Sequence, residues 1–304
     1  MVQLRAFRWN DLDGVLDVRN ASGEVDSGEG TTTRERLRAY WRLDEARVAS
    51  DLWVVEERGE ILACGGLRPW YGPDWLQAEV VVRPARRRQG LGHALLAQLV
   101  AESRERGVRY LGATAPDEPA EAGEFLRRHG FEPFVPRQHM RLRPIVVPEA
   151  RGLAAHRLRL ARVEESAALA EVTNAAYGAG ERSGRADAAG YRRYLEESGA
   201  RVWVAEYVPR WQVVGLCEVH GREVAIDGAT VTSGHIASLA VEPASRGQGL
   251  GRWLLAAGIG LCLQARWPSV ELNVDRDNAP ALHLYESVGF RPVYAYTAYR
   301  LALA

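Results

Sequence analysis

The segment Val82-Arg83-Pro84-Ala85-Arg86-Arg87-Arg88-Gln89-Gly90-Leu91-Gly92 returns as Val241-Glu242-Pro243-Ala244-Ser245-Arg246-Gly247-Gln248-Gly249-Leu250-Gly251, 159 residues further on. Gly130-Phe131 returns as Gly289-Phe290 at the same offset, so the chain between these landmarks is equally long in both copies. An internal repeat restricts the fold before any propensity is weighed, because both copies must take the same architecture. Upstream the match is looser: Leu52-Trp53-Val54 answers to Val202-Trp203-Val204, and Leu4-Arg5 to Leu158-Arg159. The 304 residues read as two homologous domains, 1–147 and 156–304, with Pro148 and Gly152 in the joint.

Each copy follows one order. A helical region (10–46, 163–198) precedes two strands, Trp53–Val55 with Ile61–Leu67 and Trp203–Glu206 with Val213–Val219. An apolar strand (Ala78–Val82, Ile236–Val241) leads through a Gly-rich turn into a long helix (91–106, 250–266), where Leu91, Leu95, Leu96, Leu99 and Val100 recur at helical spacing. A further strand (Tyr110–Ala113, Val270–Val274) and a short helix ending at Gly130 or Gly289 close each copy. The expected fold class is α/β (α+β), with a mixed sheet flanked by helices in each domain.

Composition removes several chemistries. All 39 basic residues are arginine, balanced by 39 acids. Without lysine there is no Walker A loop and no Schiff-base or pyridoxal chemistry. A net charge of zero gives no broad nucleic-acid footprint. Three cysteines without paired spacing, Cys64, Cys217 and Cys262, suit a reducing compartment and offer neither a disulfide framework nor a zinc site. No apolar run is long enough for a membrane helix, and the N-terminus has no signal core. A cytoplasmic protein without metal, membrane or nucleic-acid partner is expected.

A strand, a turn with glycines and then a helix form an anion site: first-turn N–H groups lack partners, the helix dipole is positive there, and glycine admits a close phosphate. Arg87, Arg88, Arg246 and Arg252 are placed to add charge. The dinucleotide fingerprint G-x-G-x-x-G fails in both copies, where its third glycine is Leu95 or Leu254. The pattern Arg/Gln-x-x-Gly-x-Gly/Ala after Val-x-Pro is met in Arg87-Arg88-Gln89-Gly90-Leu91-Gly92 and in Arg246-Gly247-Gln248-Gly249-Leu250-Gly251. Both halves thereby resemble the GNAT superfamily of N-acetyltransferases. The resemblance implies an acetyl-CoA site at Leu239, Ala240, Val241 and 246–252 through Arg252, and a second at Val82 and 87–92.

The copies then diverge. Asn278-x-x-Ala281-x-x-x-Tyr285-x-x-x-Gly289-Phe290 resembles the closing motif of the family. In that family the Asn contacts the CoA arm and the Tyr protonates the departing thiolate, so Asn278 is expected to bind cofactor and Tyr285 to be the general acid. At the 159 offset these positions are Pro119 and Leu126, which leaves the first domain without the acid. In tandem-repeat members the position eight before Pro243 holds a glutamate base; here it is His235, expected to take the amine proton. Backbone N–H groups at Leu239 and Val241 are expected to hold the thioester oxygen. The polar loop 177–185, with Glu181, Arg182 and Arg185, and the tail Tyr294–Tyr299 are expected to border the acceptor, a small-molecule amine. A non-catalytic CoA-binding sensor or scaffold, and a protein or peptide N-acetyltransferase, stay open beside this reading.

Overall fold

The computed structural model describes residues 1–26, 32–41, 51–69, 74–178, 186–197, 199–226 and 229–303. The chain divides into two compact units that are discontinuous in sequence: Met1–Phe134 with Val224–Thr230 and Thr297–Ala304, and Val135–Glu223 with Val231–Tyr296. No helix among the described residues is long and apolar enough to cross a membrane.

In unit 1 the strands β1 (Val2–Ala6), β2 (Leu52–Glu57), β3 (Glu60–Pro69) and β4 (Trp75–Val82) pair antiparallel in that order, and β5 (Tyr110–Pro116) joins β4 in parallel. Helices α1 (Leu12–Asp26) and α2 (Arg34–Trp41) cover one face, with Val15, Val18, Leu37 and Val54 buried between. Helices α3 (Leu91–Glu105) and α4 (Glu121–Arg128) cover the other, over Leu95, Leu99, Leu111, Leu126 and Phe131. Apolar alternation in strands and an apolar stripe on α3 make both layers stick to one sheet.

Unit 2 repeats the plan with β7 (His156–Leu160), α5 (Ser166–Tyr177), α6 (Ala188–Glu197), β8 (Arg201–Tyr207), β9 (Gln212–Ile226), β10 (Ala229–Val241), α7 (Leu250–Gln264), β11 (Val270–Asp275) and α8 (Ala279–Val288). A corner device is also duplicated. Arg5 bonds Asp11 and Glu56 in unit 1, as Arg159 bonds Glu165 and Glu206 in unit 2. Asp11 and Glu165 also cap the turn before α1 and α5 by accepting the backbone N–H of Arg8 and Arg162.

The last strand of each repeat departs from the two continuous domains expected. Val135–Leu142 of β6 (Glu132–Leu142) belongs to unit 2, where it runs antiparallel to β11 from Leu142↔Val270 to Arg137↔Asp275. The end of β12 (Arg291–Ala302) belongs to unit 1: Leu303 donates its N–H to the Arg109 carbonyl at 3.0 Å, and Tyr299 and Leu303 lie in the α3 core. The expected acceptor border Tyr294–Tyr299 is divided between the units: Tyr294 and Tyr296 lie in unit 2 and Tyr299 in unit 1. Tyr294 belongs to unit 2, stacked on His139 at 4.8 Å, whereas Tyr299 is a core residue of unit 1.

Candidate functional site

In unit 2, β10 and β11 run parallel through Gly234↔Val270, His235↔Glu271 and Ile236↔Leu272. Beyond that level β10 continues to Val241 without β11, so the backbone of 237–241 faces a gap on that side. The gap opens onto the turn before α7. Gly247 and Gly249 have φ of +77° and +91°, a conformation that L side chains resist, and a methyl built on either meets nothing within 4 Å. No side chain caps α7, a helix of 15 residues, so its first-turn amides keep no side-chain partner. Gln248 is exposed, and Leu250 is buried beneath the turn. Gly251 lies within 3.6 Å of Leu284 if given a Cβ, which keeps the entrance of α7 close to α8.

Unit 1 builds the same cradle after Val82. Gly90 has φ +83° and open space, Gly92 packs near Val82 and Phe125, and Leu91 is buried. Arg88 takes φ +62° where unit 2 has Gly247, while Gln89 accepts from Arg86 at 3.1 Å.

The arginines of the signature brace the turn. Arg246 donates from Nε to the Val241 carbonyl (3.0 Å) and from Nη2 to the Ala176 carbonyl at the end of α5 (2.6 Å). Arg87 does the same in unit 1, to the Val82 carbonyl (3.3 Å) and Ser22 Oγ (2.9 Å). Arg252 donates to the Glu149 carbonyl and to Ser287 Oγ. Their geometry ties the cradle to neighbouring elements, in addition to whatever charge they lend it.

Strict alternation along β10 fails. Ile236 packs in the α7–α8 core, but so do Leu239 and Val241, while Ala240 packs under α5 and α6. The facing slips by one residue between Ile236 and Leu239, as a β-bulge requires. In β4 of unit 1 the register with β3 is unbroken from Pro69↔Leu76 to Ala63↔Val82. At the slip, Tyr177 of α5 engages the strand: its hydroxyl lies 3.2 Å from the Leu239 carbonyl, 3.3 Å from the Leu239 N–H and 3.0 Å from Ser238 Oγ. The Leu239 amide expected to hold an oxyanion thus already donates to a phenol oxygen.

Asn278 caps α8, its Oδ1 accepting the Ala281 N–H at 3.2 Å. Tyr285, one turn and more along, is 7% exposed, edge-on to Phe290 at 5.8 Å. Burial, with Tyr177 and Cys217 nearby, pushes its pKa up, so the phenol stays protonated. Its hydroxyl has no hydrogen-bond partner among the described residues. The corresponding Leu126 of unit 1 is packed in the α3 core.

On the α5–α6 face of β9 and β10, polar side chains stand beside the apolar Val213, Leu216 and Ala240. Glu218 is buried and receives a hydrogen bond from Tyr191 Oη at 2.5 Å; Tyr191 in turn meets Thr173 Oγ1 at 2.6 Å. Burial raises the pKa of Glu218, with Tyr191 opposing it. His220 lies 3.3 Å from Tyr194 Oη, and its ring is 5.1 Å from that of His235. The surroundings of His235 work against the base role expected of it. Burial, then Arg222, His220 and His139, push its pKa down to about 3, and its Nδ1 is buried without a partner. A lowered pKa disfavours the protonated form that a base must reach. Glu218 and Tyr191 escaped the sequence reading, and Tyr177 entered it only as the start of the expected acceptor loop. An acid inside the apolar run Val213-Val214-Gly215-Leu216-Cys217-Glu218-Val219 was the available signal.

Residues 49–133 match the model of the acetyltransferase (GNAT) domain, and residues 167–290 that of the acetyltransferase (GNAT) family. A mycothiol acetyltransferase of Mycobacterium marinum is 30% identical over 327 aligned residues, covering 99% of this chain and 97% of the relative. The mycothiol acetyltransferase of Nocardia farcinica is 27% identical over 96% of each chain. The chain belongs to the GNAT acetyltransferase family. Two solved structures share the fold along the whole length. A GCN5-related N-acetyltransferase from Sphaerobacter thermophilus has a TM-score of 0.80 at 21% identity, covering 99% of this chain and 96% of that one. A tandem GNAT protein from the clavulanic acid biosynthesis pathway has a TM-score of 0.75 at 19% identity, covering 100% and 99%.

A GNAT acetyltransferase uses acetyl-CoA, and the residues present fit it. Open glycines with uncapped amides suit a pyrophosphate, and the unpaired edge of 237–241 suits an amide-bearing arm. A cysteine-borne intermediate does not fit, because Cys64, Cys217 and Cys262 are all buried and burial raises the pKa of each. Gly178 is the last described residue of the expected acceptor loop; Glu181, Arg182 and Arg185 lie outside the described residues.

Proposed function

We propose that unit 2 transfers the acetyl group of acetyl-CoA to the amine of a small molecule by direct attack, with Tyr285 as general acid. The observation that carries this reading is the asymmetry between two equal cradles. Unit 2 keeps a buried, protonated phenol, without a hydrogen-bond partner among the described residues, in the core cluster that also holds Leu239 of β10 and Leu272 of β11, and unit 1 has Leu126 in that place.

Acetyl-CoA supplies the acetyl group as a thioester. Gly247, Gln248, Gly249, Leu250 and Gly251 offer main-chain amides to its phosphates, with Arg246 holding the turn. Leu239, Ala240 and Val241 offer strand edge to its arm, and Asn278 shapes the entrance of α8. Tyr285 supplies a proton to the leaving sulfur, a role worth about 10²–10⁴-fold in comparable sites. In unit 1, Val82 and residues 87–92 keep a nucleotide cradle without the acid, which suits binding without transfer.

The relatives' name makes a mycothiol-type small molecule the first acceptor to test. Thiol release from acetyl-CoA over an amine panel is the assay. Tyr285→Phe is expected to lower kcat about 100-fold with the KM for acetyl-CoA little changed. An undiminished kcat removes Tyr285 as the acid, and tight CoA binding without turnover on any amine favours a sensor.

A further inference from the structure

Resting on that reading, we propose that Glu218 receives the acceptor's ammonium group and takes its proton, so that the acceptor is an amine presented from the α5–α6 face of unit 2. Four carboxylates of the described residues are classed as buried: Asp11, Glu206, Glu218 and Glu271. Three are held by arginine: Asp11 by Arg5, Glu206 by Arg157 and Arg159, Glu271 by Arg141 together with His139. Glu218 has none among the described residues; its Oε1 is held by the Tyr191 phenol alone, and its Oε2 has no partner there. A buried carboxylate without a cation is costly in a structure that supplies arginine to every comparable acid. Such a group in a reaction site is a candidate for chemistry.

Its surroundings suit a proton acceptor for an incoming cation. Thr173 and Tyr191 fix the carboxyl in one orientation through the 2.6 Å contact and the phenol bond. Tyr177 couples electrostatically to Glu218, and the same phenol touches Ser238 and Leu239 at the slip in β10. The titratable and charged groups of this face are Tyr191 and Tyr194 on α6, Tyr177 on α5, His220 and Arg222 on the same strand, and His235 on β10; burial, with Arg222, keeps both histidines low in pKa. An ammonium brings the charge that Glu218 lacks.

Unit 1 has no carboxylate at the equivalent strand position, where Gly66 pairs with Leu52 as Glu218 pairs with Val202. Glu79 of β4, which occupies the position of Ser238, is clamped by Arg19 through two bonds of 2.8 Å. Arg19 stands where unit 2 has Thr173, at the 154-residue offset that relates Arg5 and Asp11 to Arg159 and Glu165. The unit without the phenol thus also lacks the β9 carboxylate, and its own Glu79 is neutralised by an arginine.

The step balances as follows. An N–H bond of the ammonium breaks and an O–H bond forms on Glu218. The freed lone pair forms the C–N bond while the C–S pair leaves on sulfur, which takes the Tyr285 proton. The second N–H proton, lost as the amide forms, returns the phenolate to phenol through solvent, and Glu218 releases its proton to solvent.

The test uses the full chain, the amine that supports turnover, and thiol release from pH 6 to 9.5, with circular dichroism and acetyl-CoA affinity as controls of folding. E218Q is expected to lose about 100-fold in kcat/KM for the amine at pH 7, with acetyl-CoA affinity retained, and to recover to within about tenfold at pH 9.5, where solvent deprotonates the amine. Tyr191→Phe, which removes only the donor to Glu218, is expected to move the acidic limb of the profile to higher pH, and it carries the test if E218Q does not fold. A loss of equal size at every pH, an unmoved limb in Tyr191→Phe, or a full rate in E218Q overturns the assignment. Absence of turnover by the unaltered chain on any amine instead overturns the transferase reading beneath it.

Discussion

Adding a single methyl group to each cradle separates the two units. Gly249→Ala and Gly90→Ala put an L side chain at φ +91° and +83°, in both cases with nothing within 4 Å of the new Cβ. The left-handed conformation costs an L residue roughly 1–2 kcal/mol, and there is no clash to add. Each variant should therefore lose about 1 kcal/mol, or about 2–4 °C in Tm for a unit of this size. Function should diverge. In the proposed complex the phosphate oxygens approach the first-turn amides of α7 through the open space at Gly249, so the methyl would stand between ligand and donor. Lengthening two or three such contacts by the radius of a methyl is expected to raise the KM for acetyl-CoA about 30-fold, equivalent to about 2 kcal/mol. Gly90→Ala should leave the KM within about twofold, because the unit that carries it lacks the acid. Initial rates against acetyl-CoA concentration decide the matter, with thermal melts as the stability control. Equal KM values for Gly249→Ala and the unaltered chain would refute the cradle, and a raised KM in Gly90→Ala alone would assign turnover to the wrong unit.

Other outcomes follow from the ion networks. Glu271 is 1% exposed and its carboxylate is shared by His139 and Arg141, so His139→Ala should destabilise unit 2 by about 3 kcal/mol; a urea midpoint unchanged from the parent would contradict this. Glu165 is held down to about 2 from an ordinary 4.5, first by its hydrogen bond from Arg159. A depressed carboxylate contributes stability that is complete above the unfolded value and is lost as pH falls through the folded one. Unfolding midpoints should therefore drop between about pH 4.5 and pH 2, and Arg159→Gln, already less stable at neutral pH, should show a shallower drop. The three buried thiols should be silent toward Ellman's reagent in the native chain and all titrate in guanidinium; one fast thiol in native buffer would reopen a covalent route.

The cradle could be read from the sequence because its parts are contiguous. Val241, Pro243, Gly247, Gly249 and the apolar face of α7 act through local backbone geometry, which a linear motif encodes. Tyr285, the proposed acid, was set apart by comparison of the repeats, since Leu126 at the equivalent position cannot donate a proton. Glu218, Tyr191 and Thr173 were not, because three residues from β9, α6 and α5 meet only when the sheet is assembled. His235 looked basic by residue type and position, whereas its pKa depends on burial and on Arg222, His220 and His139 around it. The one-residue slip in β10 also lay beyond a period-2 reading.

Chain order alone thus settles that there are two copies of one fold, that each carries a glycine turn before a helix, and that a phenol stands in the second where the first has leucine. Spacing, glycine and residue type are local properties that no folding event can alter. Which unit receives β6 and the end of β12, and which buried acid is left without a cation, are settled by packing instead. A strand's edge can pair with any complementary neighbour, and a carboxylate's charge depends on groups brought to it from far along the chain.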